Sequence, residues 1–513
     1  MTTAAAQTTS ADYARLTELL RDASTLGSVA GLLGWDQETY MPAGGAAARA
    51  AQSALIARIR HERLTDPRVG DLIASCEADP ALAAEGSETA ANLREIRRDY
   101  DKATKVPGDL VAELARTGSQ AQDVWKHARA KSDFAAFEPY LTRMLDLTRR
   151  QAECLGVPQG GELYDALLDQ YEPDARAADI EAVFNPLRER LSAFIADVAE
   201  NGTPPRDDFM SRSIPVGRQH AFGQAVLEAM GFDFAAGRLD TTAHPFCSGF
   251  APGDTRLTTR YAEDNFADAL SSTMHEGGHG LYEQGLPKDG PHAGLPLSSS
   301  VSLGIHESQS RLWENFVGRS LPFWRWALPL AHRHFDGAFA DLSPETLTAA
   351  MNTCTPSLIR VESDEPTYNL HVMIRFTLER ALIRGDLSVR DLPGAWNGQY
   401  RDLLGIEVPD DRRGCLQDVH WSFGLIGYFP TYSLGNLYAA QLWETINERI
   451  PGLDDQMARG EFGDLLAWLR ENVHRHGRRY TAGELCERAT GKPLQADALM
   501  RHLERRVKPA YGM

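Results

Sequence analysis

Apolar residues return at three- and four-residue intervals along most of this chain, so the pattern predicts a mainly α protein. Tyr13, Leu16, Leu19 and Leu20 open it. Leu110, Leu114 and Val124-Trp125 continue it, and Ile180, Val183, Phe184 and Leu187 form another stripe, as do Leu465, Leu466, Trp468 and Leu469. Helix starts are marked too. Ser343-Pro344-Glu345 supplies an N-cap with proline at the first helical position, and Ser388 ahead of Asp391 resembles a capping box. Strand signals are few. Arg238–Thr242 and Thr255–Tyr261 are Thr-rich with Gly and Pro between them, which predicts a short antiparallel pair. No repeat or low-complexity linker divides the chain. The Gly202–Asp208 loop, containing Pro204-Pro205, is the one candidate boundary, and we read it as a loop inside a single domain over residues 11–513, behind a disordered N-terminus at 1–10.

Composition adds limits. With 43% hydrophobic and 24% charged residues, the 513-residue chain has apolar material for a large core. The net charge of -18 disfavours nucleic acid and anionic membrane as partners. The six cysteines share no C-x-x-C spacing, so they read as free thiols in a reducing compartment. The N-terminus lacks a basic segment followed by an apolar one, and no apolar stretch is long enough to span a bilayer, so the cytoplasm is the expected location.

The chemistry concentrates in His275-Glu276-Gly277-Gly278-His279. Helical periodicity runs from Phe266 through Leu270, Met274 and Leu281. Residues four apart share a helix face, so His275 and His279 can bind one metal ion, with Glu276 about 100° around the helix as general base. Two glycines in mid-helix each cost about 1 kcal/mol relative to alanine, which suggests close approach by another backbone or a substrate. The bland alternative is a surface helix with two satisfied histidines. A catalytic zinc needs a third protein ligand and an open position for water. Glu307, in the helical segment Ser300–Arg311, suits that role if the two helices pack across the Gly285–Pro296 loop. Glu283, on the same helix as the histidines, and His306 are its rivals.

At this point the sequence resembles the carboxypeptidase Taq family of metallopeptidases over nearly its whole length. His244-Pro245-Phe246, the Asp254, Arg256 and Thr258 of a D-x-R-x-T element, HEGGH, His306-Glu307-Ser308-Gln309, Ile359-Arg360 with Ser363-Asp364, and the Gln417, Asp418, His420 and Trp421 of G-x-x-Q-D-x-H-W carry the likeness. The resemblance implies a mostly helical fold with a deep central groove and commonly a homodimer. It implies removal of single residues from peptide C-termini with broad preference, proline being resisted, and a divalent metal, zinc or sometimes cobalt.

Within that frame a metal-bound water would attack the scissile carbonyl, with Glu276 as base. His420 and Tyr428 or Tyr432 are candidates to stabilise the oxyanion. A free C-terminal carboxylate calls for an arginine fork, for which Arg360 and Arg256 are the motif candidates; either could instead pair with Asp364 or Asp254. His244 is placed on the substrate side. Asp254, Asp364 and Asp418 are all available to hold the outer nitrogens of the metal-binding histidines. The pairs His332/His334 and His474/His476 are read as solvent-facing, because alternation by two diverges on a helix. A metallo-endopeptidase or dipeptidyl carboxypeptidase on the same scaffold is the alternative enzyme, and a helical binding protein with a degenerate site the alternative of another class.

Overall fold

The computed structural model describes residues 10–513. Ser10 caps the first helix, its Oγ accepting from the Tyr13 amide at 3.2 Å; the rest of the expected disordered stretch, 1–9, lies outside the described residues. Helix α1 (Ala11–Thr39) and α2 (Ala46–Leu64) form an outlying hairpin. Then come α3 (Pro67–Glu77), α4 (Glu88–Lys105), α5 (Gly108–Lys131), α6 (Phe134–Leu155), α7 (Leu163–Leu168), α8 (Ala177–Asn201) and α9 (Val216–Met230). Strands β1 (Gly237–Thr241), β2 (Cys247–Ala251) and β3 (Asp254–Thr259) precede α10 (Phe266–Gly285) and α11 (Leu303–Arg311), which runs into a π-helical turn at Leu312–Val317. The remainder is α12 (Leu321–His334), α13 (Pro344–Met351), α14 (Glu365–Arg384), α15 (Leu392–Leu404), α16 (Pro430–Arg449), α17 (Leu453–Met457), α18 (Gly463–Asn472), α19 (Ala482–Thr490) and α20 (Asp497–Ala510).

The expected helix signals act as read. Ser343 Oγ accepts from the Thr346 amide with Pro344 at the first helical position, and Ser388 Oγ accepts from the Asp391 amide. One apolar core runs from Ala121 to Tyr511 and continues across the 202–208 loop, with Val198 and Phe209 buried on either side. A smaller cluster of Tyr13, Leu16, Val69, Ile73, Leu93 and Ile96 joins α1, α3 and α4. Arg478 ties it to the main body through Glu95 at 2.8 Å and Asp99 at 2.9 Å. The six cysteines are unpaired. Among the described residues no helix is long and apolar enough to cross a membrane.

The strand reading needs correction. The two Thr-rich segments do pair, but in parallel, with Leu239 opposite Leu257. The antiparallel partner of β3 is β2, which lies between them in sequence and on the far side of β3 in space. Its residues, Cys-Ser-Gly-Phe-Ala, show neither alternation nor β-branching. The sheet backs onto α10: Thr273 Oγ1 lies 3.3 Å from Thr259 Oγ1, and Leu257 packs against Gly280.

Candidate metal centre

Helix α10 begins where Asn265 Oδ1 accepts from the Asp268 amide at 3.2 Å, and it is buried along most of its length. Its glycines answer the sequence question. A Cβ on Gly278 would lie 2.5 Å from the Gln309 carbonyl oxygen and 2.7 Å from Ser310 Cα, so only glycine lets α10 and α11 touch backbone to backbone. Gly277 leaves room for the Leu227 side chain of α9, and Gly435 lets α16 close on the Glu307 side chain. As a result His275, His279 and Glu307 each offer a ligand atom, all within 4.8 Å of one another. Glu307 Oε2 is 3.6 Å from His275 Nε2 and 3.5 Å from His279 Nε2.

The outer nitrogens are engaged. His275 Nδ1 lies 2.9 Å from Glu314 Oε2, and His279 Nδ1 lies 2.5 Å from His306 Nδ1. His306 Nε2 in turn lies 2.8 Å from Glu283 Oε1. None of Asp254, Asp364 and Asp418 takes such a role: Asp254 holds Arg256, Asp364 caps α14 and Asp418 holds two arginines. The two rivals of Glu307 therefore lie behind His279, outside the ligand trio.

The electrostatics fit a divalent cation. Glu276, Glu307 and Glu314 are buried together, facing Arg311 at 2.7 Å from Glu307 and 3.2 Å from Glu314, with Arg319 3.6 Å from Glu314. Two imidazole nitrogens and one carboxylate oxygen form a borderline donor set of the kind divalent transition metals take. Burial pushes the Glu276 carboxyl up to about 7. Against desolvation, Glu307 and Glu314 push His275 up to about 9, whereas burial holds His279 down to about 3.

Other sequence candidates gather on the wall formed by α14, the 417–428 segment and α16. His420 Nε2 is 3.3 Å from Tyr432 Oη, and the Tyr428 and Tyr432 rings stand 5.4 Å apart. Burial pushes His420 down to about 4, which keeps the ring neutral. Arg360 gives Nε and Nη2 to Asp418 Oδ1 at 3.0 and 2.8 Å and Nη1 to Tyr368 Oη at 3.0 Å, and it lies 5.0 Å from the Tyr432 ring. Arg375 meets the other Asp418 oxygen at 2.7 Å, so two buried guanidiniums share one carboxylate. Arg256 instead pairs with Asp254 at 2.8 Å and stacks 4.4 Å from the Trp35 ring. His244 is exposed in the β1–β2 connection, where Thr258 Oγ1 accepts from the Phe246 amide at 2.8 Å.

One expectation fails here. His474 does not face solvent; it is fully buried and its Nε2 lies 3.0 Å from Gln309 Oε1. Residues 474–479 are 3₁₀ turns broken at Gly477, not a regular helix. The sequence reading also missed Glu314, Arg311 and Glu379. The i, i+4 pairing of Glu307 with Arg311 was a usable signal. Glu379 accepts from Tyr164 Oη at 2.7 Å, Trp421 Nε1 at 2.8 Å and the Gly427 amide at 3.0 Å, and so clamps the segment bearing His420 and Tyr428.

The family model described as Carboxypeptidase Taq (M32) metallopeptidase matches residues 15–507. Thermostable carboxypeptidase 1 of Thermus thermophilus is 46% identical over 98% of this chain and 100% of that protein. Carboxypeptidase 1 of Bacillus subtilis is 36% identical over 96% of this chain and 97% of that protein. The crystal structure of a carboxypeptidase from Deinococcus radiodurans matches with a TM-score of 0.94 at 42% identity, covering 98% of this chain and 100% of that one.

Proposed function

Because this chain belongs to the carboxypeptidase Taq family of metallopeptidases, and is thus a metal-dependent carboxypeptidase, we propose that it removes single C-terminal residues from peptides with broad preference, using the centre built on His275, His279 and Glu307. The observation that carries this reading is the convergence of those three donors beside the buried Glu276. Zinc is the ion we assign, with cobalt able to replace it. When bound, such an ion supplies Lewis acidity, polarising the scissile carbonyl and making water a better nucleophile.

The residues of the chain do the rest. Glu276 takes the proton of the attacking water and delivers it to the leaving amine nitrogen. His420 and one of Tyr428 and Tyr432 donate to the oxygen that gains charge; their mutual contact at 3.3 Å between His420 and Tyr432 supports a shared role. Arg360 receives the substrate carboxylate. The excess of positive charge where Arg360 and Arg375 share Asp418 favours an anion there. Arg256, committed to Asp254 and Trp35, is the weaker candidate, and His244 is kept as a substrate contact from the exposed β1–β2 connection. We also propose a homodimer acting in the cytoplasm on free peptides, and one domain over 11–513, a reading supported by the core that runs from Ala121 to Tyr511 and by the Arg478 pairs that join the α1–α3–α4 cluster to it.

Digestion of one peptide in free-acid and amidated forms, read by mass spectrometry, tests the activity. A ladder losing one residue at a time from the free acid, with the amide untouched, is expected. Steps of two residues, or cleavage of the amide, would transfer the assignment to a dipeptidyl carboxypeptidase or endopeptidase.

A further inference from the structure

Consecutive residues of α11 grip opposite ends of one imidazole. Glu307 Oε2 lies 3.5 Å from His279 Nε2, while His306 Nδ1 lies 2.5 Å from His279 Nδ1. Two ring nitrogens that close share one proton between them, so one donates and the other accepts. The far end of His306 decides which. Its Nε2 faces Glu283 Oε1 at 2.8 Å, and Lys288 pairs with the same carboxylate through Oε2. A carboxylate only accepts, so the proton sits on His306 Nε2. An imidazole that ligates through Nε2 keeps its proton on Nδ1, so His279 donates from Nδ1 and the Nδ1 lone pair of His306 accepts. His279 is left with its Nε2 lone pair turned toward Glu307.

We propose that His306 and Glu283 are positioning residues, a two-step relay that fixes the His279 proton on Nδ1 and presents its Nε2 as a metal ligand. This rests on the metal centre proposed above. The relay has a prepared seat. Gly249 of β2 faces the Glu283–Lys288 pair, and a Cβ there would collide with the Glu283 carboxylate and come within 2.5 Å of Lys288 Nζ. The Tyr282 ring flanks His306 at 5.3 Å, edge to face, and limits its rotation. His275 reaches the same tautomer in one step through Glu314; His279 needs two because an imidazole stands between it and its carboxylate.

The test is Co²⁺ binding to metal-free full-length protein, titrated against a competing chelator and followed by the visible Co²⁺ absorption. Asparagine at 306 places an acceptor near the position of Nδ1, whereas glutamine reaches toward Nε2. Expected are an about 10- to 100-fold weaker Co²⁺ affinity for His306→Ala, recovery of most of it in His306→Asn, no recovery in His306→Gln, and a smaller loss in Glu283→Ala. Parent-like affinity in His306→Ala overturns the relay. So does equal affinity of the Asn and Gln variants, a contrast that stands even if His306→Ala fails to fold. His275→Ala separates the two layers. If it binds Co²⁺ as well as the parent does, the metal centre falls and the relay with it; if it binds worse while His306→Ala matches the parent, only the relay falls.

Discussion

His275 Nδ1 stands 2.9 Å from Glu314 Oε2, a residue carried not by regular helix but by the π-helical turn that follows α11. Glu314 follows Glu307 by seven residues and Arg311 by three, a spacing that keeps all three on one face of the helical run. A carboxylate behind a ligating histidine fixes the ring and raises its basicity. Glu314→Ala should therefore weaken metal binding about 10- to 100-fold, with the helical content by circular dichroism unchanged. Chelator-competition titration measures it, and an affinity equal to the parent's would leave Glu314 a merely structural partner of Arg311.

Glu276 neighbours the ligands but is not among the converging three. Its replacement by glutamine keeps the shape and removes the base. Activity on a free-acid peptide should fall about 10²- to 10⁴-fold, while bound metal stays at the parent's level. Elemental analysis alongside the rate separates the two quantities. Loss of metal from Glu276→Gln would mean that Glu276 helps hold the ion.

Arg360 and Arg256 can be told apart. Arg360 sits among Tyr368, Phe429 and Tyr432, whereas Arg256 is held between Trp35, Phe250 and Asp254. Loss of a charge-assisted fork removes about 3 kcal/mol, or about 10²-fold. Arg360→Ala should lose about that factor in kcat/KM on free-acid peptides, mostly through KM, and Arg256→Ala much less. The reverse ranking would move the carboxylate site to the sheet.

What the sequence could and could not reveal follows from which interactions are local. The stripe through Phe266, Leu270 and Met274 and the four-residue spacing of His275 and His279 are written in helical period, and α10 obeys both. Glu307 was reachable because a third ligand from the histidines' own helix gives poor tetrahedral geometry, which leaves a packed neighbouring helix to supply it. Strand direction was not, because β2 carries no alternation and enters the sheet through pairing with β3. Glu314 was legible in the same period, seven residues after Glu307 and three after Arg311, and was passed over because it lies beyond the motif that carries the ligand. His474 was misjudged because divergence by two excludes a shared ligand but leaves one ring free to turn inward, and His474 is the one that is buried.

Gly278 tests the packing that assembles the site. Alanine there would gain about 1 kcal/mol of helix propensity in isolation. Its Cβ would meet backbone atoms of Gln309 and Ser310 at 2.5 and 2.7 Å, and backbone cannot swing aside as a side chain can. Overpacking of this kind costs about 1–3 kcal/mol, so Gly278→Ala should unfold at lower temperature and bind metal more weakly as α11 is pushed away. A variant more stable than the parent would show that the two helices can separate without cost.

Glu379 gives the fold a pH dependence whose sign can be worked out. Burial pushes its carboxyl up to about 7, above the value of about 4.3 in an unfolded chain. Below the lower value both states are protonated and the group changes nothing. Between the two, the unfolded chain releases its proton while the folded one keeps it, so stability falls as pH rises, by on the order of 3 kcal/mol once pH passes 7. Glu379→Gln stays neutral and lacks that slope. The melting temperature of the parent relative to Glu379→Gln should therefore drop between pH 5 and pH 8. The competing physical effect is the set of three donors, Tyr164, Trp421 and Gly427, which favour the ionised form. A parent that gains on the variant as pH rises would mean that those donors win and that the clamp on the His420–Tyr428 segment is a buried carboxylate.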